Sequence, residues 1–141
     1  RNEIININNC NILNDCYKSN PVSINAALNI FELFKSQKKI TVLGDMLGYR
    51  EMSHDMHYNV GKDLSMHNID ELITIGKEAK YIAKGARENA NINSIVEFDT
   101  KEEAALYLKK YMKEDCTILV KGSRFLQLEY IANKLKEWEN E

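Results

Sequence analysis

Three short clusters carry the residues of this chain with chemical capacity. Lys121-Gly122-Ser123-Arg124 follows the strand-like run Thr117-Ile118-Leu119-Val120 and precedes a stretch of helical period. A helix that opens on small residues presents unpaired backbone N–H groups and a positive dipole end, which suit a phosphate or a carboxylate. Lys121 and Arg124 add two cations there. The same residues also suit a tight turn, with Ser123 as helix cap and both cations in water. The second cluster is Asn14-Asp15-Cys16-Tyr17-Lys18-Ser19-Asn20-Pro21, at a strand end and a helix start. The third is Val42-Leu43-Gly44-Asp45-Met46, again at a strand end. A carboxylate at such a place, Asp15 or Asp45, can hold a ribose hydroxyl, an ammonium group or a magnesium-bound water. Each also suits a turn with a capping acid.

Position depends on the surrounding elements. Lys39–Leu43, Glu71–Ile75, Ser94–Phe98 and Thr117–Val120 are short and rich in β-branched residues, and read as strands. Ile4–Ile7 and Asn11–Asn14 read as two more, around an Asn-rich turn. Asn20 caps a predicted helix with Pro21 at its first position, and Ile24, Ala27, Leu28, Phe31 and Phe34 share one face. A second helix follows Ser53 with Met56, Val60 and Leu64, and a third carries Ala79, Ile82, Ala83, Ala86 and Ala90. Thr100 and Glu103 form a capping box ahead of Ala104, Leu108 and Met112. Leu128, Ile131 and Leu135 mark the last helix, with Trp138 at its end. Strand–helix alternation predicts an α/β fold: a three-layer Rossmann-like sandwich, with a mostly parallel sheet of about six strands and helices on both faces. Ligands of such sheets bind at the carboxyl ends of the strands. Asp15, Asp45 and Ser123 then share one rim.

Composition narrows the function. The chain has 141 residues and a formal net charge of −2, which lacks the basic footprint of a nucleic-acid binder. No apolar run reaches bilayer length, so no membrane partner is expected. No signal-peptide pattern opens the sequence, and Arg1 at its start points to a piece of a longer protein. The 3 Cys residues, Cys10, Cys16 and Cys116, are odd in number and widely spaced, which argues for small buried thiols in a reducing cytoplasm. There is no phosphate-binding P-loop, no dinucleotide fingerprint and no hydrolase elbow. His54 and His57 lie one helical turn apart, but no third ligand completes a metal set, so packed or solvated histidines are expected. No catalytic residue is assigned.

Taken in order, Asp15-x-Tyr17-x-x-Asn20-Pro21-x-Ser23, Val42-Leu43-Gly44-Asp45-Met46-Leu47, Ser53, His57-x-x-x-Gly61 and Leu119-Val120-Lys121-Gly122-Ser123-Arg124 resemble the C-terminal domain of the Mur ligases. The resemblance spans nearly the whole chain. Asn14, Lys18, Ser19 and Gly48 stand where that family more often has Asp, Asn, Ala and Glu. The resemblance implies that residues 1–141 form a single amino-substrate-binding domain of a three-domain cytoplasmic enzyme. Its other domains would hold the UDP-sugar peptide, the P-loop and Mg2+. It implies ATP-driven formation of an acyl phosphate on a UDP-N-acetylmuramoyl-tripeptide, attacked by the amine of D-alanyl-D-alanine, in peptidoglycan synthesis. Asp15 and Asn20 are then expected on the ATP side, and Lys121, Ser123, Arg124 and Asp45 on the amino-substrate side. A related folate- or cyanophycin-type ligase, or a nucleotide-binding module without catalysis, would carry a similar domain.

Overall fold

A computed structural model describes residues 2–141. Its strands are β1 (Asn2–Ile7), β2 (Cys10–Asp15), β3 (Lys38–Gly44), β4 (Glu71–Ile75), β5 (Ser94–Phe98) and β6 (Cys116–Lys121). Its α-helices are α1 (Pro21–Phe31), α2 (Ser53–Asp63), α3 (Lys80–Asn89), α4 (Lys101–Leu108) and α5 (Glu129–Glu137). The strands form one sheet in the order β1-β2-β6-β3-β4-β5. Only the hairpin pair β1–β2 is antiparallel. Its turn places Asn8 at φ 55, a left-handed conformation that Asn tolerates better than most residues.

The period-2 alternation of the strands divides the core between two faces. Ile12, Ile40, Val42, Ile73, Ile118 and Val120 point toward α4 and α5. Leu13, Leu43, Leu72 and Leu119 point the other way, toward α1, α2 and α3. The expected sandwich is therefore present, with both faces of the parallel strands covered. Both predicted helix starts close as capping boxes. The Asn20 side chain accepts the Ser23 N–H at 2.8 Å while Ser23 Oγ accepts the Asn20 N–H at 2.9 Å. Thr100 and Glu103 make the same exchange. Helices α2 and α3 meet backbone to backbone at two glycines: a Cβ on Gly61 would sit 2.0 Å from the Ile82 carbonyl oxygen, and one on Gly85 2.1 Å from that of Tyr58.

One sequence expectation fails here. Cys10 and Cys116 are joined by a disulfide, and only Cys16 is a free buried thiol. The 106-residue separation hid the pair. Parallel pairing of β2 with β6 sets the two residues directly opposite each other.

Strand β6 lies between β2 and β3, although the chain reaches it last. From β3 the chain winds outward through β4 and β5, then returns to the other side of β3. The sheet therefore reverses its winding direction beside β3 and β6. At such a reversal the loops after neighbouring strands diverge and leave a crevice. Here those loops follow Asp15, Gly44 and Lys121.

Candidate functional site

Strand register brings the three clusters together. Asp15 stands opposite Lys121, and Lys121 opposite Leu43, across β2, β6 and β3. Lys121 does not reach into solvent. Its side chain is 1% exposed, and Nζ lies 3.0 Å from Asp15 Oδ2. The same ammonium donates to the Lys18 carbonyl at 2.6 Å. A buried ammonium is tolerable only when paired and hydrogen-bonded, and these two acceptors meet that demand. The image of Lys121 as a solvated cation is thus corrected. It neutralises Asp15 and pins the 16–19 loop at the carbonyl of Lys18. Asp15 keeps 17% of its side-chain surface open. Asn20, at the other end of that loop, spends its side-chain oxygen on the α1 cap.

Asp45 sits at the tip of β3, in the second loop. Its Oδ1 accepts the Ala79 N–H at 2.7 Å, just ahead of α3. Burial pushes its carboxyl above the ordinary aspartate value, with the hydrogen bond from the Ala79 N–H acting in the opposite direction. Gly76, at φ +114, lies directly against this carboxylate, and a Cβ there would be 2.4 Å from Oδ1. Only glycine fits the backbone conformation and the space together. Asp45 thus lies on the rim while its carboxylate takes the backbone N–H just ahead of a neighbouring helix.

The expected helix start at Ser123 is absent. A single 3₁₀ turn, Arg124–Leu126, follows the strand, then Gln127 adopts φ 52, and α5 begins only at Glu129. Ser123 makes no side-chain cap. Instead its Oγ accepts the Leu47 N–H at 3.2 Å, and its own N–H reaches the Asp45 carbonyl at 3.4 Å. The loops after β3 and β6 are thus stitched together. Gly122 shows no positive φ; a Cβ there would press to 2.5 Å from Leu128 Cδ1. Arg124 is exposed, with its guanidinium 5.4 Å from the centre of the Tyr17 ring. An exposed cation held over an aromatic face is placed but not consumed. Arg124, Tyr17, Asn14, Cys16, Glu3 and Glu129 line an open polar cleft. Burial, with Glu129 and Asp15 nearby, pushes the Cys16 thiol up to about 12, so it stays protonated and is no nucleophile.

The histidines separate. His57 is fully buried, whereas His54 stacks on Tyr81 with ring centroids 3.9 Å apart. His67 bonds Glu32 and Asn25 on the far side of α1. Among the described residues no group of three His, Cys, Asp or Glu side chains is placed to hold a metal. Among the described residues no helix is long and apolar enough to cross a membrane.

His57 is the functional candidate that residue-type reasoning passed over. Its Nε2 accepts the Met46 N–H at 2.9 Å, and its Nδ1 faces the Ser53 carbonyl at 2.7 Å. A carbonyl can only accept, so the proton sits on Nδ1 and the ring is neutral. The available signal was the Ser53, His57-x-x-x-Gly61 pattern, whose residues all lie on the buried face of α2.

Residues 1–124 match the family model described as "Mur ligase, glutamate ligase domain". The chain belongs to the Mur ligase family. It is 32% identical, over 127 residues, to UDP-N-acetylmuramoyl-tripeptide--D-alanyl-D-alanine ligase of Bacillus subtilis, a match covering 89% of this chain and 28% of that enzyme. Among solved structures it resembles MurF from Acinetobacter baumannii at 26% identity and TM-score 0.85, covering 96% of this chain and 30% of that one. The MurF ligase of Thermotoga maritima, solved in complex with ADP, shares the fold at TM-score 0.80 and 21% identity, over 98% of this chain and 30% of that one. The chain thus spans under a third of the length of these Mur ligases.

Proposed function

We propose that residues 1–141 are the C-terminal, amino-substrate-binding domain of a three-domain ligase. That ligase would add D-alanyl-D-alanine to UDP-N-acetylmuramoyl-tripeptide in cytoplasmic peptidoglycan synthesis. The observation that carries this reading is the stitched pair of loops at the sheet reversal, Asp45–Leu47 against Gly122–Arg124, beside the Asp15–Lys121 pair. ATP, held with Mg2+ mainly by the preceding domains, would supply activation of the acceptor carboxylate. The residues at the strand end suit that partner: Asp15 is a carboxylate at the β2 tip, a place suited to ribose hydroxyls, and Asn20 caps α1 at the other end of the same loop. Lys121 acts through Asp15 by fixing the orientation of its carboxylate. Arg124 is the exposed cation suited to the terminal carboxylate of an incoming dipeptide. Ser123 and Asp45 set the backbone beside it.

Kinetics of the full-length enzyme test this directly. Phosphate release should require ATP, the tripeptide precursor and D-alanyl-D-alanine together, and the 141-residue chain alone should melt cooperatively yet release none. The family description names glutamate. Free glutamate is therefore the competing amino component, and its preference over the dipeptide would overturn the assignment.

A further inference from the structure

The loop after β3 is held from three directions. The Asp45 carboxylate takes the Ala79 N–H from the α3 side, and Ser123 meets the Asp45 carbonyl and the Leu47 N–H from the β6 side. The third hold is His57. Met46 is buried, so its N–H has no access to water, and Nε2 of His57 is its partner. An unpaired buried amide is costly, so this bond constrains the loop strongly. The ring itself cannot turn away, because Nδ1–H is committed to the Ser53 carbonyl within its own helix. Ser53 Oγ in turn bonds Glu78 Oε1 at 2.6 Å, immediately before Ala79.

The demand at this position is specific. It needs an acceptor aimed at the loop and a donor aimed back along the helix, both on a rigid side chain that fills a dry space. Neutral imidazole supplies both. We propose that His57 is a positioning residue of the amino-substrate site: its Nδ1–H tautomer holds Met46, and through the β3 loop fixes the backbone of Ser123 and the start of the Arg124 turn. This inference rests on the amino-substrate reading of Ser123 and Arg124. His57 itself touches no substrate in this account.

The test uses full-length enzyme carrying His57→Gln or His57→Leu. Gln keeps one acceptor and one donor; Leu keeps the bulk and neither. Hydrogen exchange is followed on peptides covering 44–48 and 122–126, alongside KM for each substrate and thermal melts. His57→Leu should speed exchange about tenfold in both peptides and raise the dipeptide KM about tenfold, with the ATP KM within about twofold. His57→Gln should bring the dipeptide KM back to within about threefold of wild type. If His57→Leu lacks a cooperative melt, His57→Asn replaces it, since its amide is one bond too short to span both partners. A lower Tm with parallel changes in both KM values, or unchanged exchange over 122–126, overturns the inference. Exchange needs no substrate. A wild-type enzyme that ignores D-alanyl-D-alanine would thus remove the functional assignment while the exchange result still decides whether His57 couples the two loops.

Discussion

Replacing Lys121 by Met keeps most of the side-chain volume and removes the ammonium. Asp15 then loses its partner at 3.0 Å and the Lys18 carbonyl loses its donor at 2.6 Å. Removing one member of a buried ion pair costs about 3–5 kcal/mol. Asp15 retains 17% of its side-chain surface, so water relieves part of the loss and the lower figure, about 3 kcal/mol, is expected. An unfolding entropy of about 2.1 cal/mol/K per residue gives roughly 0.3 kcal/mol/K for a chain of 141 residues. The Tm of Lys121→Met should therefore fall by about 10 °C. Asp15→Asn should also destabilise, because it takes the countercharge away from the buried ammonium and leaves it the neutral Lys18 carbonyl. The double variant should be less destabilised than the sum by about 1.5 kcal/mol or more, since the Asp15–Lys121 interaction can be lost only once. Urea and thermal unfolding of the four proteins close the cycle. A fall of under about 2 °C for Lys121→Met, or additivity within about 0.5 kcal/mol, would refute a buried pair and return Lys121 to solvent.

Three other measurements bear on the same architecture. Gly61→Ala should improve helix propensity by about 1 kcal/mol in isolation, yet here it should lower stability by about 2 kcal/mol, because overpacking against the Ile82 carbonyl outweighs it; a rise in Tm would contradict the close helix crossing. Burial raises the Asp45 carboxyl in the folded state, so its contribution is full below the unfolded aspartate value and is lost as pH rises through the folded one. Asp45→Asn keeps an acceptor for the Ala79 N–H and should narrow the stability gap between pH 4 and pH 7 in melts, gaining relative to wild type at the higher pH. Cys16, with its thiol pushed up to about 12, should resist iodoacetamide at pH 8 in the native protein and react at least tenfold faster in urea; equal rates would show an open thiol.

What the sequence discloses here is local. The β-branched runs at Lys39–Leu43 and Thr117–Val120, and the Asn20-Pro21 and Thr100–Glu103 signals, act over three to seven neighbouring residues, and the strands and helices appear where they stand. The pairing of Asp15 with Lys121 is of another kind. It depends on which strand inserts beside β2 and in what register, neither of which residues 10–15 or 116–121 encode alone. The Cys10–Cys116 link escaped for the same reason. The error at Ser123 came from reading Gly-Ser as punctuation for a helix, when the chain first spends a 3₁₀ turn and a left-handed Gln127 to bring Leu128 over Gly44 and Gly122. His57 stood in the sequence as a packed or solvated histidine and as part of the His57-x-x-x-Gly61 pattern. Its tautomer was not legible there, because that depends on a carbonyl within its own helix and an amide from another element.

The glycine contact between α2 and α3 reaches beyond packing. Helices separated by side chains can slide by small rotamer adjustments, which is how shear motions accumulate. Here the main chains at Gly61 and Gly85 touch, with no side-chain layer between them to yield. The start of the β3 loop is tied to this slab twice, Met46 through His57 on α2 and Asp45 through Ala79 ahead of α3. Sliding of α2 over α3 is therefore resisted by backbone rather than by side chains, and the Asp45–Met46 segment is tied to both helices of that rigid pair.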